Sequence, residues 1–286
     1  MQFRLARRHR AEHSCPNEGA PRVEHRERLN LLEFAVEIAH HAGRLTLGHF
    51  LRGVAVDRKS DESPVTIADR GAEQLLRERI AAQFPDHGIL GEEFGETPGR
   101  AGVRWILDPI DGTFSFIHGV PLYSVLIGVE AGDEIVAGVI HIPALADTIC
   151  AARGDGCRWN GRRAQVSTAS RLSEAVVLTG GGRGFARGGR SAEYDRLIRA
   201  FGDHRSWCDA YGYALVATGR ADAIVDPKMA IWDVAALVPC IEEAGGRISD
   251  WAGVASHRID TAVATNGRIH NDVLAMLSDA AASKGG

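Results

Sequence analysis

Apolar residues recur at helical spacing over residues 31–50, where Leu31, Ala35, Ile38, Ala42 and Leu45 share one face and predict a helix. A second helix is predicted over 67–83, with Ala72, Leu75, Leu76 and Ile80 on its apolar face, Thr66 as N-cap and Pro85 just past its end. The polar stretch 54–63 between them reads as an exposed hairpin or loop. The pattern then shortens. Residues 88–90 and 103–107 read as buried strands that run directly into acids, and 123–130, 134–142 and 148–152 read as successive antiparallel strands. Asn160-Gly161 adds a hairpin signal.

From about residue 170 helices and strands alternate. A strand is expected over 175–179, then the Gly/Arg-rich stretch 180–190, helices over 192–201 and 210–218, a strand over 221–225 and a helix over 232–243 that stops at Gly245-Gly246. This predicts an α+β half over 29–168 and an α/β half over 169–286, joined near residues 165–172. Residues 1–28, rich in Arg and His and without apolar pattern, read as a poorly ordered basic tail. They lack the apolar stretch of a secretory signal.

Composition narrows the class. The chain has 286 residues, 45% of them hydrophobic and 24% charged, which suits a globular protein with a sizeable core. A net charge of -4 gives no support to a nucleic-acid or anionic-membrane partner; only the basic tail favours the former. No stretch approaches the roughly 18 apolar residues of a membrane span. The five cysteines (15, 150, 157, 208 and 240) include no C-x-x-C pair, so the expectation is reduced thiols in a cytoplasmic protein, with neither a disulfide framework nor a thiolate zinc site.

Candidate chemistry lies in four segments: the run from Lys59 through Ser63-Pro64-Val65-Thr66 to Asp69; Gly91-Glu92-Glu93; Asp108-Pro109-Ile110-Asp111-Gly112-Thr113; and Trp232-Asp233-Val234-Ala235-Ala236. In the third, a buried strand delivers Asp108, Pro109 stiffens the exit, and a tight turn points Asp111 at the same volume. Carboxylates that close repel unless a cation sits between them. Gly112 and Thr113 would then open a helix and offer backbone N–H groups to a phosphate. Each segment also has a plainer reading: Asp108 and Asp111 as cap and turn, Gly-Glu-Glu as a surface turn, Asp69 and Asp233 as first-turn helix acids. Together they supply hard oxygen donors of the kind magnesium takes. The histidines form no zinc pattern.

These segments resemble the inositol monophosphatase superfamily. Its D-P-[IL]-D-G-T and W-D-x-[AG]-[AG] signatures occur in order, with the upstream G-E-E and S-P-V-T-x-A-D runs, and the resemblance covers about residues 29–280. It implies a layered αβαβα sandwich, usually dimeric and often inhibited by lithium, that hydrolyses phosphate monoesters of small metabolites with two or three Mg2+ ions. By resemblance Glu92, Asp108, Asp111 and Asp233 are metal ligands, joined by the carbonyl of Ile110. Asp111, Gly112 and Thr113 cradle the phosphate. Asp69 orients Thr113 and, with Glu92, helps activate water.

Substrate choice rests on the walls. The blocks Cys208-Asp209-Ala210-Tyr211-Gly212-Tyr213 and Ala221–Pro227 look like the histidinol-phosphate phosphatase branch. Asp209 and Asp226 would pair with the ammonium and imidazole of histidinol phosphate, whereas inositol offers only hydroxyls. Asp209 reads equally as the N-cap of the helix from Ala210. Arg183, Arg187 and Arg190 read as pocket residues or as solvated surface. The expected reaction is hydrolysis of L-histidinol phosphate. The alternatives are myo-inositol 1-phosphate, a bisphosphate, or a non-catalytic binding protein that kept the fold.

Overall fold

Where the apolar repeat first shows in the sequence, helix α1 (His25–His49) is already under way. The structure, a computed structural model, describes residues 23–58 and 64–278; most of the expected tail and Lys59 to Ser63 of the first motif lie outside these. The tail boundary at residue 28 is corrected. Val23 is buried, and its carbonyl accepts from Arg28 at 2.9 Å. Turns whose outer faces are polar carry no apolar repeat, so the sequence pattern starts late.

The flanks of the expected hairpin, β1 (Val56–Arg58) and β2 (Pro64–Thr66), pair antiparallel. Helix α2 (Ile67–Gln83) follows with its predicted bounds. Thr66 caps it reciprocally: its hydroxyl oxygen accepts from the Ala68 amide at 3.1 Å, and Asp69 accepts from the Thr66 amide at 2.8 Å.

Next come β3 (Gly88–Gly91), β4 (Gly95–Thr97), β5 (Val103–Asp111), the short α3 (Thr113–Ile117), β6 (Ser124–Ala131), β7 (Glu134–Ile142), β8 (Asp147–Ala152), β9 (Gly156–Trp159) and β10 (Arg162–Arg163). The strands form one eight-stranded sheet in the order β10-β9-β8-β7-β6-β5-β3-β4. Only the β3–β5 pairing in it is parallel. Strand β5 runs to Asp111 instead of stopping at Leu107, and its register with β6 breaks between Asp108 and Asp111, where Pro109 has no N–H to give. All of β6 is buried: Val125, Ile127 and Val129 pack on α1 and α2, Leu126 on the opposite side. A sheet covered on both faces shows no polar alternation in its sequence.

The second half contributes β11 (Val176–Thr179), α4 (Gly182–Arg187), α5 (Ser191–Ala200), β12 (Asp203–Arg205), α6 (Asp209–Ala217), β13 (Ala223–Asp226), α7 (Ile231–Ala235), α8 (Leu237–Glu243), β14 (Arg247–Ser249), β15 (Ala262–Thr265) and α9 (His270–Ser278). A five-stranded sheet runs β12-β11-β13-β15-β14. Residues of α6, α7 and α8 pack between the sheets, against Leu126 and Ile140 on one side and Leu178 and Ile224 on the other. Phe185, Leu197 and Val273 cover the outer face of the second sheet. The layers are therefore α/β/α/β/α.

Two helix expectations change. The Gly/Arg-rich stretch folds as α4 around the fully buried Phe185. The single helix expected over 232–243 is interrupted at Ala236, because Pro239 in the first turn of α8 has no N–H to continue the ladder. Its junction lies tight on the large sheet. Gly128 and Gly138 oppose each other on β6 and β7. A Cβ on Gly128 would fall 2.7 Å from the Ala235 Cβ, and one on Gly138 would fall 2.4 Å from the Ala236 carbonyl oxygen. Small residues on both sides thus let Asp233 approach the sheet.

Candidate active site

Strand β5 carries Asp108 and Asp111 at its carboxyl end, and the first turn of α7 brings Asp233 to meet them. Each offers a carboxylate oxygen, and these atoms lie within 4.8 Å of one another. Backbone amides fix one oxygen of each. Asp108 Oδ1 accepts from the Ile110 amide at 3.0 Å, Asp111 Oδ2 from the Ala210 amide at 2.6 Å, and Asp233 Oδ2 from the Ala230 amide at 2.7 Å. Glu92 enters from just beyond β3, next to β5. Its carboxyl hydrogen-bonds with Asp108 and acts electrostatically on Asp233 as well.

So many acids in one buried volume resist ionisation. Burial, then Glu92, Asp111 and Asp233, hold Asp108 well above the usual carboxylate range. Burial and then Asp209 and Asp233 do the same to Asp111. Burial raises Asp233 to about 6, against the pull of the Ala230 amide. The donors are all hard oxygens, and a divalent cation among them would remove the repulsion. The site fits such an ion.

Beside the acids, Gly112 adopts φ +80°, a left-handed conformation open to glycine, and turns the chain from β5 into α3. The Thr113 hydroxyl lies 3.0 Å from the Ile110 carbonyl oxygen and 3.3 Å from Asp69 Oδ1, and the other oxygen of Asp69 accepts from the Thr66 hydroxyl at 2.6 Å. Asp69 is buried, which raises its pKa.

Asp209 does not cap α6. It is the first helical residue, at φ +54°, and the free Ala210 amide goes instead to Asp111, across the site. Turned away from its own helix, the Asp209 carboxylate lies beside Gly112, where a Cβ would meet its Oδ2 at 3.0 Å.

A cavity of about 130 Å3 opens next to the acids, lined among others by Asp111, Asp209, Tyr213, Asp226, Met229 and Asp233. Asp226 ends β13, and its Oδ2 accepts from the buried Tyr213 hydroxyl at 2.9 Å. Burial pushes Asp226 up to about 7, against the pull of that hydroxyl. Lys228 lines the same space and lowers Asp233. Four carboxylates against one ammonium leave the wall acidic. Arg183 lies exposed on α4 and is not among the lining residues. Burial, then Asp209 and Asp226, raise the Cys208 thiol strongly, so it stays protonated and is a poor nucleophile.

Two residues had no role assigned from sequence. Tyr213 sits in a helix that carries no charge after its first residue, and only its partner Asp226 across the layer explains its hydroxyl. Glu73 is fully buried on α2, yet with Arg77 four residues on it reads in sequence as an ordinary surface pair.

The profile described as "Inositol monophosphatase family" matches residues 27–282. A histidinol-phosphatase of Chlorobaculum parvum is 47% identical over 78% of this chain and 86% of its own length. A histidinol-phosphatase of Mycobacterium tuberculosis is 38% identical over 86% of this chain and 97% of its own. The crystal structure of the extragenic suppressor protein suhB from Bartonella henselae superposes with a TM-score of 0.83 and 31% identity, covering 88% of this chain and 99% of that one. Among the described residues, no helix is long and apolar enough to cross a membrane. Fold, acid cluster and relatives agree: the chain belongs to the inositol monophosphatase family and is a phosphoric monoester hydrolase.

Proposed function

We propose that this enzyme hydrolyses L-histidinol phosphate to L-histidinol and phosphate, using magnesium held by Glu92, Asp108, Asp111, Asp233 and the carbonyl of Ile110. The observation that carries the substrate choice is the position of Asp209 and Asp226, which line one cavity with Asp111 and Asp233. An acidic wall beside a phosphate site suits an ester whose other end is cationic. The two histidinol-phosphatases named above favour the same ester, while other relatives, such as one of Rhizobium meliloti at 35% identity, are inositol-1-monophosphatases.

Bound magnesium would neutralise charge on the phosphoryl oxygens and make nearby water more acidic. The chain's own groups do the rest. Gly112 and Thr113 turn first-turn amides, which have no partner within a helix, toward the phosphate. Asp69 holds the Thr113 hydroxyl and, with Glu92, receives the proton of the attacking water; its raised pKa makes it a better acceptor near neutrality. Asp111 ties the phosphate side to the substrate wall through the Ala210 amide. Tyr213 fixes Asp226, which pairs with the substrate ammonium or ring N–H while Asp209 faces the same guest. Attack at phosphorus breaks the bond to the ester oxygen, which takes a proton from water and leaves as the alcohol into this cavity.

A charge-assisted contact contributes about 1.5–3 kcal/mol, and a neutral polyol can offer the same carboxylate only uncharged hydroxyls. With Mg2+ present, kcat/KM for L-histidinol phosphate should exceed that for myo-inositol 1-phosphate by at least ~10-fold. Steady-state phosphate release from the two esters measures this. A larger value for the inositol ester would leave the phosphatase reading intact and reject the substrate.

A further inference from the structure

We propose that Glu73 is a positioning residue that places Glu92, and through it sets the cation affinity of the acid cluster, while touching neither cation nor substrate. The inference rests on the reading of Glu92 as a cation ligand.

Glu73 lies on α2 one turn beyond Asp69, and its carboxylate is wholly buried. A buried carboxylate is costly unless it is paired and hydrogen-bonded. Here Oε2 accepts from the Glu93 amide at 2.7 Å, while Oε1 accepts from the Phe94 amide at 3.2 Å and from Arg77 Nε at 2.7 Å. On the other side of Glu92, Gly91 comes so near that a Cβ there would lie 2.0 Å from Glu73 Oε1. The backbone both before and after Glu92 is therefore referenced to one carboxylate.

Arg77 extends the grip, donating to the Gly95 carbonyl and, at 3.0 Å, to the Thr97 hydroxyl. Every residue of β4 is exposed, so little apolar packing holds this end of the sheet. The Glu73–Arg77 pair supplies what packing does not. The same helix carries Asp69 at its first turn, so one rigid element sets both the Thr113 partner and the turn that presents Glu92. Partners behind a metal ligand typically change affinity 10–100-fold when removed.

The test measures Mg2+ binding to substrate-free enzyme by calorimetry, beside the Mg2+ concentration for half-maximal activity and the ester KM at saturating Mg2+. Glu73→Gln keeps the shape but turns an NH2 toward a backbone donor. Gly91→Ala keeps every charge and drives a methyl against the Glu73 carboxylate. Both variants should bind Mg2+ ~10-fold or more weakly and need correspondingly more for half-maximal rate, with ester KM at saturation changed less than about twofold. A lower melting temperature with unchanged Mg2+ affinity in both would show a purely structural role and overturn the inference. Glu92→Gln runs in parallel. If it too leaves Mg2+ binding unchanged, the ligand reading of Glu92 fails; if it alone weakens binding, only the role of Glu73 fails.

Discussion

Replacing Asp108 by Asn should lower kcat by ~10³-fold or more, while the cation-free variant melts no lower than the parent. Asn preserves the shape and keeps an oxygen to accept from the Ile110 amide, which Asp108 Oδ1 does at 3.0 Å. What it removes is charge at the centre of the cluster. Without a cation that charge is opposed by burial and by Glu92, Asp111 and Asp233, so its loss relieves repulsion. With Mg2+ the comparison reverses. An ion at a hundred times its Kd stabilises the parent by about 2.7 kcal/mol, and the variant should gain little. Melting curves with and without Mg2+, beside turnover at saturating ester, measure both parts. Retained turnover, or equal stabilisation of both proteins by Mg2+, would contradict the assignment of Asp108.

The second large effect concerns Asp226. Changing it to Asn should reduce kcat/KM for L-histidinol phosphate by ~10–150-fold, the range that a charge-assisted contact covers. Turnover of myo-inositol 1-phosphate should move only a few-fold, because Asn still accepts from the Tyr213 hydroxyl and still bonds to a substrate hydroxyl. The pH profile adds a sign. Asp226 is raised to about 7, and only its ionised form pairs with an ammonium, so kcat/KM should climb as pH rises through that region. The Asn variant should lack this component, while titrations of the ester itself remain common to both proteins. Equal losses on both esters, or an unchanged profile, would remove Asp226 from substrate recognition.

The sequence exposed those parts of the site that are local in the chain. Asp108-Pro109-Ile110-Asp111 is legible because a buried strand, a proline and an acid pair follow within nine residues, and the structure keeps them on β5. Trp232-Asp233 is legible as acid and helix start; the meaning of Ala235 and Ala236 appears only once Gly128 and Gly138 are seen beneath them. For Asp209 the sequence leaves a wall residue and a helix cap open, because the true partner of the Ala210 amide, Asp111, lies 99 residues away. Glu73 was missed for a related reason: its partners are backbone amides 20 and 21 residues on, and amides have no letter in a sequence. The polar turns that open α1, the exposed β4 and the short β12 carry too little apolar pattern to announce themselves.

Whether oxygen donors far apart in the chain grip one ion is best decided by diffraction at the manganese edge from crystals grown with Mn2+, which takes the same carboxylate and water ligands as magnesium. Anomalous peaks should appear between the side chains of Asp108, Asp111 and Asp233, with Glu92 on the same cluster. Fully bound Mn2+ elsewhere, with these carboxylates swung apart and none at the β5–α7 junction, would contradict the account at its root.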